Sequence, residues 1–149
     1  EGDCLIANKE GKKNKEDSTI NLVDLPDLSL SLICSYAFNK KHAKFTGLQT
    51  LKNKESDRLN SLKTELEKCG ITCKTNDSEL IIDRFKDQAS AIRLKTYNDH
   101  RVAMSLAPFA LQNRIIIEDV DVVKKSYPNF WKDLQSVGFI INEEAHSNS

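Results

Sequence analysis

The sequence predicts a mixed α/β (α+β) fold built by repetition, and three observations carry that prediction. Short runs with apolar residues at alternate positions are separated by longer segments with apolar residues at i, i+3 and i+7, the periods of strand and helix. The order strand-helix-strand-helix-strand-strand over about residues 20–84 restarts over about 91–143, a repeat period of about 72 residues, and the second copy lacks its last strand. Charged side chains gather at corresponding strand-to-helix junctions: Asp27, Lys54-Glu55-Arg58, Asp99-His100-Arg101 and Lys124-Lys125.

Taken in order, Cys4 to Asn8 reads as a short strand, followed by a charged loop from Lys9 to Ser18. Ile20 to Asp24 alternates as a second strand, and Pro26-Asp27 breaks it and opens a helix over 28–38. Leu28, Leu30, Leu32, Ile33, Tyr36 and Ala37 make that helix apolar on most sides, so it is expected to be buried. A strand follows over 45–51, then a helix over 56–69 with Leu59, Leu62 and Leu66 on one face and Gly70 as its stop. Ile71 to Lys74 and Leu80 to Asp83, joined by Asn76-Asp77-Ser78, read as a hairpin.

In the second copy, Ala91 to Leu94 is a strand and Thr96 to Asp99 a polar turn. His100 to Leu111 is a helix with Val102, Leu106 and Phe109 on its apolar face, bent or shortened by Pro108. Arg114 to Glu118 is an isoleucine-rich strand. A helix over 128–137 starts at Pro128 with Phe130, Leu134 and Val137 as its apolar face, stops at Gly138, and precedes a last strand over 139–142. An orphan first strand and an unfinished second unit suggest a piece of a larger repeat-built protein, because an incomplete unit leaves a sheet edge unpaired.

Composition narrows the function. With 22 basic and 22 acidic residues the chain has no net field to attract nucleic acid or an anionic membrane, so anion binding must be local. No apolar run approaches the roughly 20 residues of a membrane span, and the first residues lack the core of a signal peptide. Cys4, Cys34, Cys69 and Cys73 form no CxxC pair, and only three histidines accompany them, so buried thiols in a reducing cytosol are expected rather than a metal site.

The junctions are where chemistry is expected. Ser56 or Asp57 caps the helix that follows and leaves Arg58 at its entrance, where free N–H groups and the helix dipole already favour anions. Glu55 is a carboxylate held among cations, as a proton-transfer group would be. Capping and solvation account for any single junction. Four in succession, with an acid beside cations in the middle two, favour a functional surface assembled from helix N-termini facing one way.

Lys54-Glu55-Ser56-Asp57-Arg58, Thr96-Tyr97-Asn98 followed by Asp99-His100-Arg101, Leu25-Pro26-Asp27 and Lys125-Ser126-Tyr127-Pro128 together resemble the EPSP synthases (3-phosphoshikimate 1-carboxyvinyltransferases), in the family's order and spacing. The resemblance covers essentially the whole chain and matches the last third of such an enzyme. It implies a fold of two similar domains, each made of three βαβαββ units, with the active site in the cleft between them. Residues 1–149 would then be the C-terminal part of one enolpyruvyl transferase domain, without the second domain.

The resemblance also implies the reaction: the enolpyruvyl group of phosphoenolpyruvate moves to the 5-hydroxyl of shikimate 3-phosphate through a tetrahedral intermediate, with release of phosphate. No metal or organic cofactor is implied. Asp27 matches the candidate base at the hydroxyl, Glu55 the proton-transfer group, and Lys54 a lysine that touches both substrates. Arg58 and Arg101 match the arginines on the phosphoenolpyruvate carboxylate, where planar forks pair in bidentate fashion. Lys125 matches a lysine near the transferred phosphate. Thr50 stands where some members place asparagine toward shikimate 3-phosphate, and His100 is expected to orient its loop. Residues 28–32, Leu-Ser-Leu-Ser-Leu, are more apolar than the family usually shows there.

The family's N-terminal lysine-serine-arginine loop is missing from these residues, so the chain alone is expected to be inactive. The complete enzyme is expected to be a cytoplasmic monomer. Two other readings are a UDP-amino-sugar enolpyruvyl transferase and a non-catalytic anion-binding domain on the same scaffold. The run Lys54 to Arg58 disfavours the first, and the carboxylates Asp27 and Glu55 disfavour the second.

Overall fold

The alternating segments of the first copy pair into one four-stranded sheet. In the computed structural model, which describes residues 18–54, 56–88 and 90–143, these strands are β1 (Ser18–Asn21), β2 (Ala43–Thr46), β3 (Ile71–Thr75) and β4 (Leu80–Phe85), in the spatial order β1-β2-β4-β3. β1 and β2 run parallel, with Ile20 opposite Phe45, and so need a crossover. Helix α1 (Ser29–Phe38) supplies it. β4 is antiparallel to both β2 and β3, and its link to β3 is the expected hairpin, closed by Asn76 N–H on the Glu79 carbonyl at 3.1 Å. Helix α2 (Arg58–Lys68) connects β2 to β3, so this region runs β-α-β-α-β-β.

The second copy gives β5 (Ile92–Leu94), α3 (His100–Leu106), β6 (Ile115–Ile117) and α4 (Phe130–Ser136), with β5 and β6 parallel in a separate two-stranded sheet. Among the described residues a hydrophobic core joins the two sheets and their helices. Leu30 and Ile33 of α1, Phe45 of β2, Leu62 and Leu66 of α2, Leu94 of β5, and Val102 and Leu106 of α3 are all fully buried in it. Helices α1 and α3 pack together, and their Ser31 and Ser105 hydroxyls share a hydrogen bond of 3.2 Å. Burial on this scale, about 25 cal/mol per Å² of apolar surface, drives the assembly. Cys34, Cys69 and Cys73 are free, buried thiols, and burial pushes Cys69 and Cys73 up to about 12 and Cys34 higher still.

Several elements differ from expectation, each for a local reason. The strand expected over 20–24 ends at Asn21, whose Oδ1 accepts the Val23 N–H at 3.1 Å and turns the chain. The strand expected over 45–51 ends at Thr46. Gly47 follows with φ +77°, where an added Cβ would lie 2.5 Å from the Val23 nitrogen, and Gln49–Asn53 winds into a 3₁₀ helix. Leu48 and Leu51, both buried, are three residues apart and stack on one face of that helix. α3 stops at Leu106, and the chain tightens into 3₁₀ geometry over Ala107–Leu111, where Pro108 lacks an N–H.

Before α4 an unforeseen 3₁₀ helix spans Val120–Lys125, and α4 begins at Phe130 rather than Pro128. The strand expected over 139–142 does not form. Phe139 N–H bonds the Leu134 carbonyl at 3.1 Å and Gln135 Nε2 the Ile141 carbonyl at 3.4 Å, so this segment folds back on the end of α4. The strand expected over 4–8 lies outside the described residues.

Candidate active site

Three strand-to-helix junctions converge through their side chains. Asp57 is the cap of α2, its carboxylate accepting the Asn60 N–H at 3.1 Å, which places Arg58 at the first helical position. From there the guanidinium runs inward and is only 1% exposed. A buried arginine requires a partner, and Asp99, the cap of α3, supplies it. Arg58 Nε donates to Asp99 Oδ2 at 2.7 Å and NH2 to Oδ1 at 3.4 Å. Asp99 Oδ1 also accepts the Arg101 N–H at 2.9 Å, and Ser56 Oγ reaches Oδ2 at 3.4 Å. One fully buried carboxylate therefore ties α2 to α3.

The network then climbs to the surface. Arg101, a third exposed, places NH2 3.0 Å from Asp27 Oδ2 and donates from NH1 to the Asp27 carbonyl at 3.2 Å. Arg58 NH1 lies 3.6 Å from Asp27 Oδ1. Asp27 is 58% exposed, in the turn before α1, which is closed by Leu25 N–H on the Leu22 carbonyl and Ser29 Oγ on the Leu25 carbonyl. Burial opposes ionisation of Asp99, but the Arg58 hydrogen bond, the Arg101 N–H and the nearby charges of Arg58 and His100 outweigh it and hold the carboxyl below its ordinary range. Asp99 is thus the fixed anion, with Arg58 anchored on it. Arg101 and Asp27 form an exposed tip where an incoming anion would compete with the Asp27 carboxylate for the same guanidinium.

The turn carrying Asp99 is strained. Asp99 N–H bonds the Thr96 carbonyl at 2.9 Å, and the two central residues, Tyr97 and Asn98, have φ of 54° and 56°. This is the arrangement of a type I′ turn, which favours Asn-Gly. A tyrosine in left-handed backbone costs about 1–3 kcal/mol and persists only where its surroundings hold it. Here Tyr97 Oη donates to Glu65 Oε1 at 2.6 Å.

Of the residues singled out from the sequence, the structure brings together Asp27, Arg58 and Arg101. Thr50, on the 3₁₀ helix after β2, and Lys54, at its end, are exposed, as is Lys125 at the end of the 3₁₀ helix before α4. None of these three has a hydrogen bond or ion pair to the network among the described residues, and Glu55 lies outside them. His100 is 8% exposed, and its Nδ1 has no hydrogen-bond partner among the described residues. A concavity of about 400 Å³ between the end of α1 and β4, lined by Lys40, Cys69, Phe85 and Phe109, shares no residue with the network. Among the described residues, no cluster of three or more His, Cys, Asp or Glu side chains could hold a metal ion.

Sequence reasoning missed the role of Asp99 as hub and missed Glu65 entirely. A signal for Glu65 existed: Arg58, Leu62 and Glu65 recur at i, i+4 and i+7, so the carboxylate shares the buried face of α2.

Comparison with known proteins shows the family. The family model of EPSP synthase (3-phosphoshikimate 1-carboxyvinyltransferase) matches residues 3–134. The chain belongs to the EPSP synthase family. Among curated relatives named 3-phosphoshikimate 1-carboxyvinyltransferase, that of Bacteroides fragilis (strain YCH46) is 46% identical over 123 residues, covering 80% of this chain and 30% of its own length. The Clostridium perfringens (strain 13) relative is 39% identical over 127 residues, covering 84% and 30%. That of Saccharolobus islandicus (strain L.S.2.15) is 32% identical over 136 residues, covering 91% and 33%. The chain thus spans about a third of the length of these EPSP synthases. A solved EPSP synthase from Acinetobacter baumannii superposes with a TM-score of 0.63 at 22% identity, over 78% of this chain and 28% of that one, a likeness of fold. Among the described residues no helix is long and apolar enough to cross a membrane.

Proposed function

We propose that this chain supplies part of the active site of a 3-phosphoshikimate 1-carboxyvinyltransferase, which transfers enolpyruvyl from phosphoenolpyruvate to the 5-hydroxyl of shikimate 3-phosphate and releases phosphate. The observation that carries the reading is the convergence of Asp27, Arg58 and Arg101 from three separate junctions, in a chain of this family. The chemistry needs these groups. Protonation of the phosphoenolpyruvate methylene by Glu55 makes C2 electrophilic, and the 5-hydroxyl adds there as Asp27 accepts its proton. The tetrahedral intermediate then loses phosphate, which carries off the proton held by Asp27, and a proton returns from the methyl group to Glu55. Arg101, with Arg58 behind it, holds the phosphoenolpyruvate carboxylate, while Lys54, Thr50 and Lys125 contact substrate oxygens as the site closes. The remainder of the site comes from the part of the relatives' length that this chain does not span, and the setting is the cytoplasm.

The test is phosphate release by the full-length protein from the two substrates. Activity is expected with both present and with neither alone, and Glu55→Gln should lower turnover about 100- to 10,000-fold with little change in binding. Release with a UDP-amino sugar in place of shikimate 3-phosphate would transfer the chain to the sister reaction, and near-normal turnover of the variant would remove Glu55 from the mechanism.

A further inference from the structure

Glu65 is fully buried on the second turn of α2, and both of its carboxylate oxygens accept hydrogen bonds. Oε1 accepts from Tyr97 Oη at 2.6 Å and from Lys68 Nζ at 2.8 Å. Oε2 accepts from the Lys95 N–H at 3.0 Å and again from Lys68 Nζ at 2.8 Å. Lys68, three residues on and partly exposed, neutralises the charge, as a buried carboxylate requires. The other two donors belong to the segment between β5 and α3, so the carboxylate clasps both ends of the connection leading into the type I′ turn.

That clasp lies two residues from the site. Tyr97 is the bulky residue in left-handed backbone, Asn98 follows it in the same conformation, and Asp99 comes next with its carboxylate on Arg58 and on the Arg101 N–H. Helix α2 therefore reaches the turn twice, through Arg58 to Asp99 and through Glu65 to Tyr97. Two attachments from one rigid helix fix both the position and the rotation of the turn, where one would fix position alone.

We propose that Glu65 is a positioning residue: by holding Tyr97 and the Lys95 N–H, it sets the turn that aims Asp99 and Arg101, so that Arg101, backed by the Arg58–Asp99 pair, meets the anionic substrate in register. The inference rests on the proposed function only for the identity of that substrate.

The test uses the full-length protein with Glu65→Gln and, as the milder change, Tyr97→Phe, well below the melting temperature of each. With ¹⁵N-labelled arginine, the Arg58 Nε–H resonance and its exchange rate report the Asp99 bond with no substrate present. Both variants are expected to shift that resonance and speed its exchange. Both should also weaken phosphoenolpyruvate binding about tenfold by calorimetry while leaving the dissociation constant for shikimate 3-phosphate unchanged. Their effects in the double variant should be less than additive, because they remove the same contact. An unchanged Arg58 resonance in both variants, or a loss confined to melting temperature with normal phosphoenolpyruvate affinity, would overturn the proposal. A wild-type protein that binds no phosphoenolpyruvate would instead overturn the functional reading, and the arginine resonance would still decide the role of Glu65.

Discussion

At the scale of single residues, the site depends on what a buried charge demands. Arg58 and Asp99 are 1% and 0% exposed, and the Asp99 carboxylate is tolerated at that depth because Arg58 meets it at 2.7 Å. Asp99→Asn removes the buried carboxylate that meets Arg58 at 2.7 Å and is expected to cost about 3–5 kcal/mol in urea unfolding near neutral pH. The pH dependence has a definite sign. The folded carboxyl titrates below its ordinary value of 3.8, so its stabilising contribution is full above that value and is lost as pH falls through the folded pKa. The stability gap between wild type and variant should hold from about pH 7 to about pH 4 and shrink only below that. A gap that closed at higher pH would contradict the pair. Arg101 has a different task, because it is the exposed arm. Arg101→Lys replaces two parallel donors with one point charge and should cost about 1.5–3 kcal/mol of phosphoenolpyruvate affinity, with shikimate 3-phosphate binding nearly unaffected. Equal loss for both ligands in calorimetry would contradict that assignment.

At the scale of elements, the junctions work because helices and strands stop where they should. Gly70 ends α2 at φ +78°, and an added Cβ would run into the Lys86 backbone carbonyl, which belongs to the segment leaving β4. The same glycine's carbonyl accepts the Lys86 N–H at 2.8 Å. Gly138 ends α4 at φ +102° with nothing within 4 Å. Alanine at either position meets the backbone penalty, but only at Gly70 is there also a collision, so Gly70→Ala should lower Tm by roughly 5 °C or more. Gly138→Ala should cost clearly less, and equal losses in parallel thermal melts would show that the Lys86 contact is unimportant.

At the scale of the whole molecule, the described residues offer the candidate site as a surface rather than an enclosure. Asp27 and Arg101 sit at its exposed tip, and Lys54 and Lys125 face outward. β1 and β3 are the edges of the four-stranded sheet among the described residues. Exposed ion pairs are worth little in water, so these 149 residues alone should bind phosphoenolpyruvate with a Kd of millimolar or weaker, about −4 kcal/mol or less favourable. Micromolar binding in an NMR titration of the chain would show that the site needs nothing further.

The sequence by itself determined the order of strands and α-helices from β1 to α4, the buried leucine face of α2, the hairpin, and the junctions that carry Asp27, Arg58 and Arg101. Each is a local matter of periodicity, turn chemistry or capping, which neighbouring residues specify. It misjudged the stretch after β2, where Leu48 and Leu51 fit both alternation and a 3₁₀ turn, and residues 139–142, where strand formation depends on a partner rather than on composition. Only the tertiary structure decided that Asp99 is the hub and that Glu65 holds Tyr97. Those contacts join residues 41 and 32 positions apart. Their existence depends on how α2 packs beside α3, and no local pattern encodes that distance.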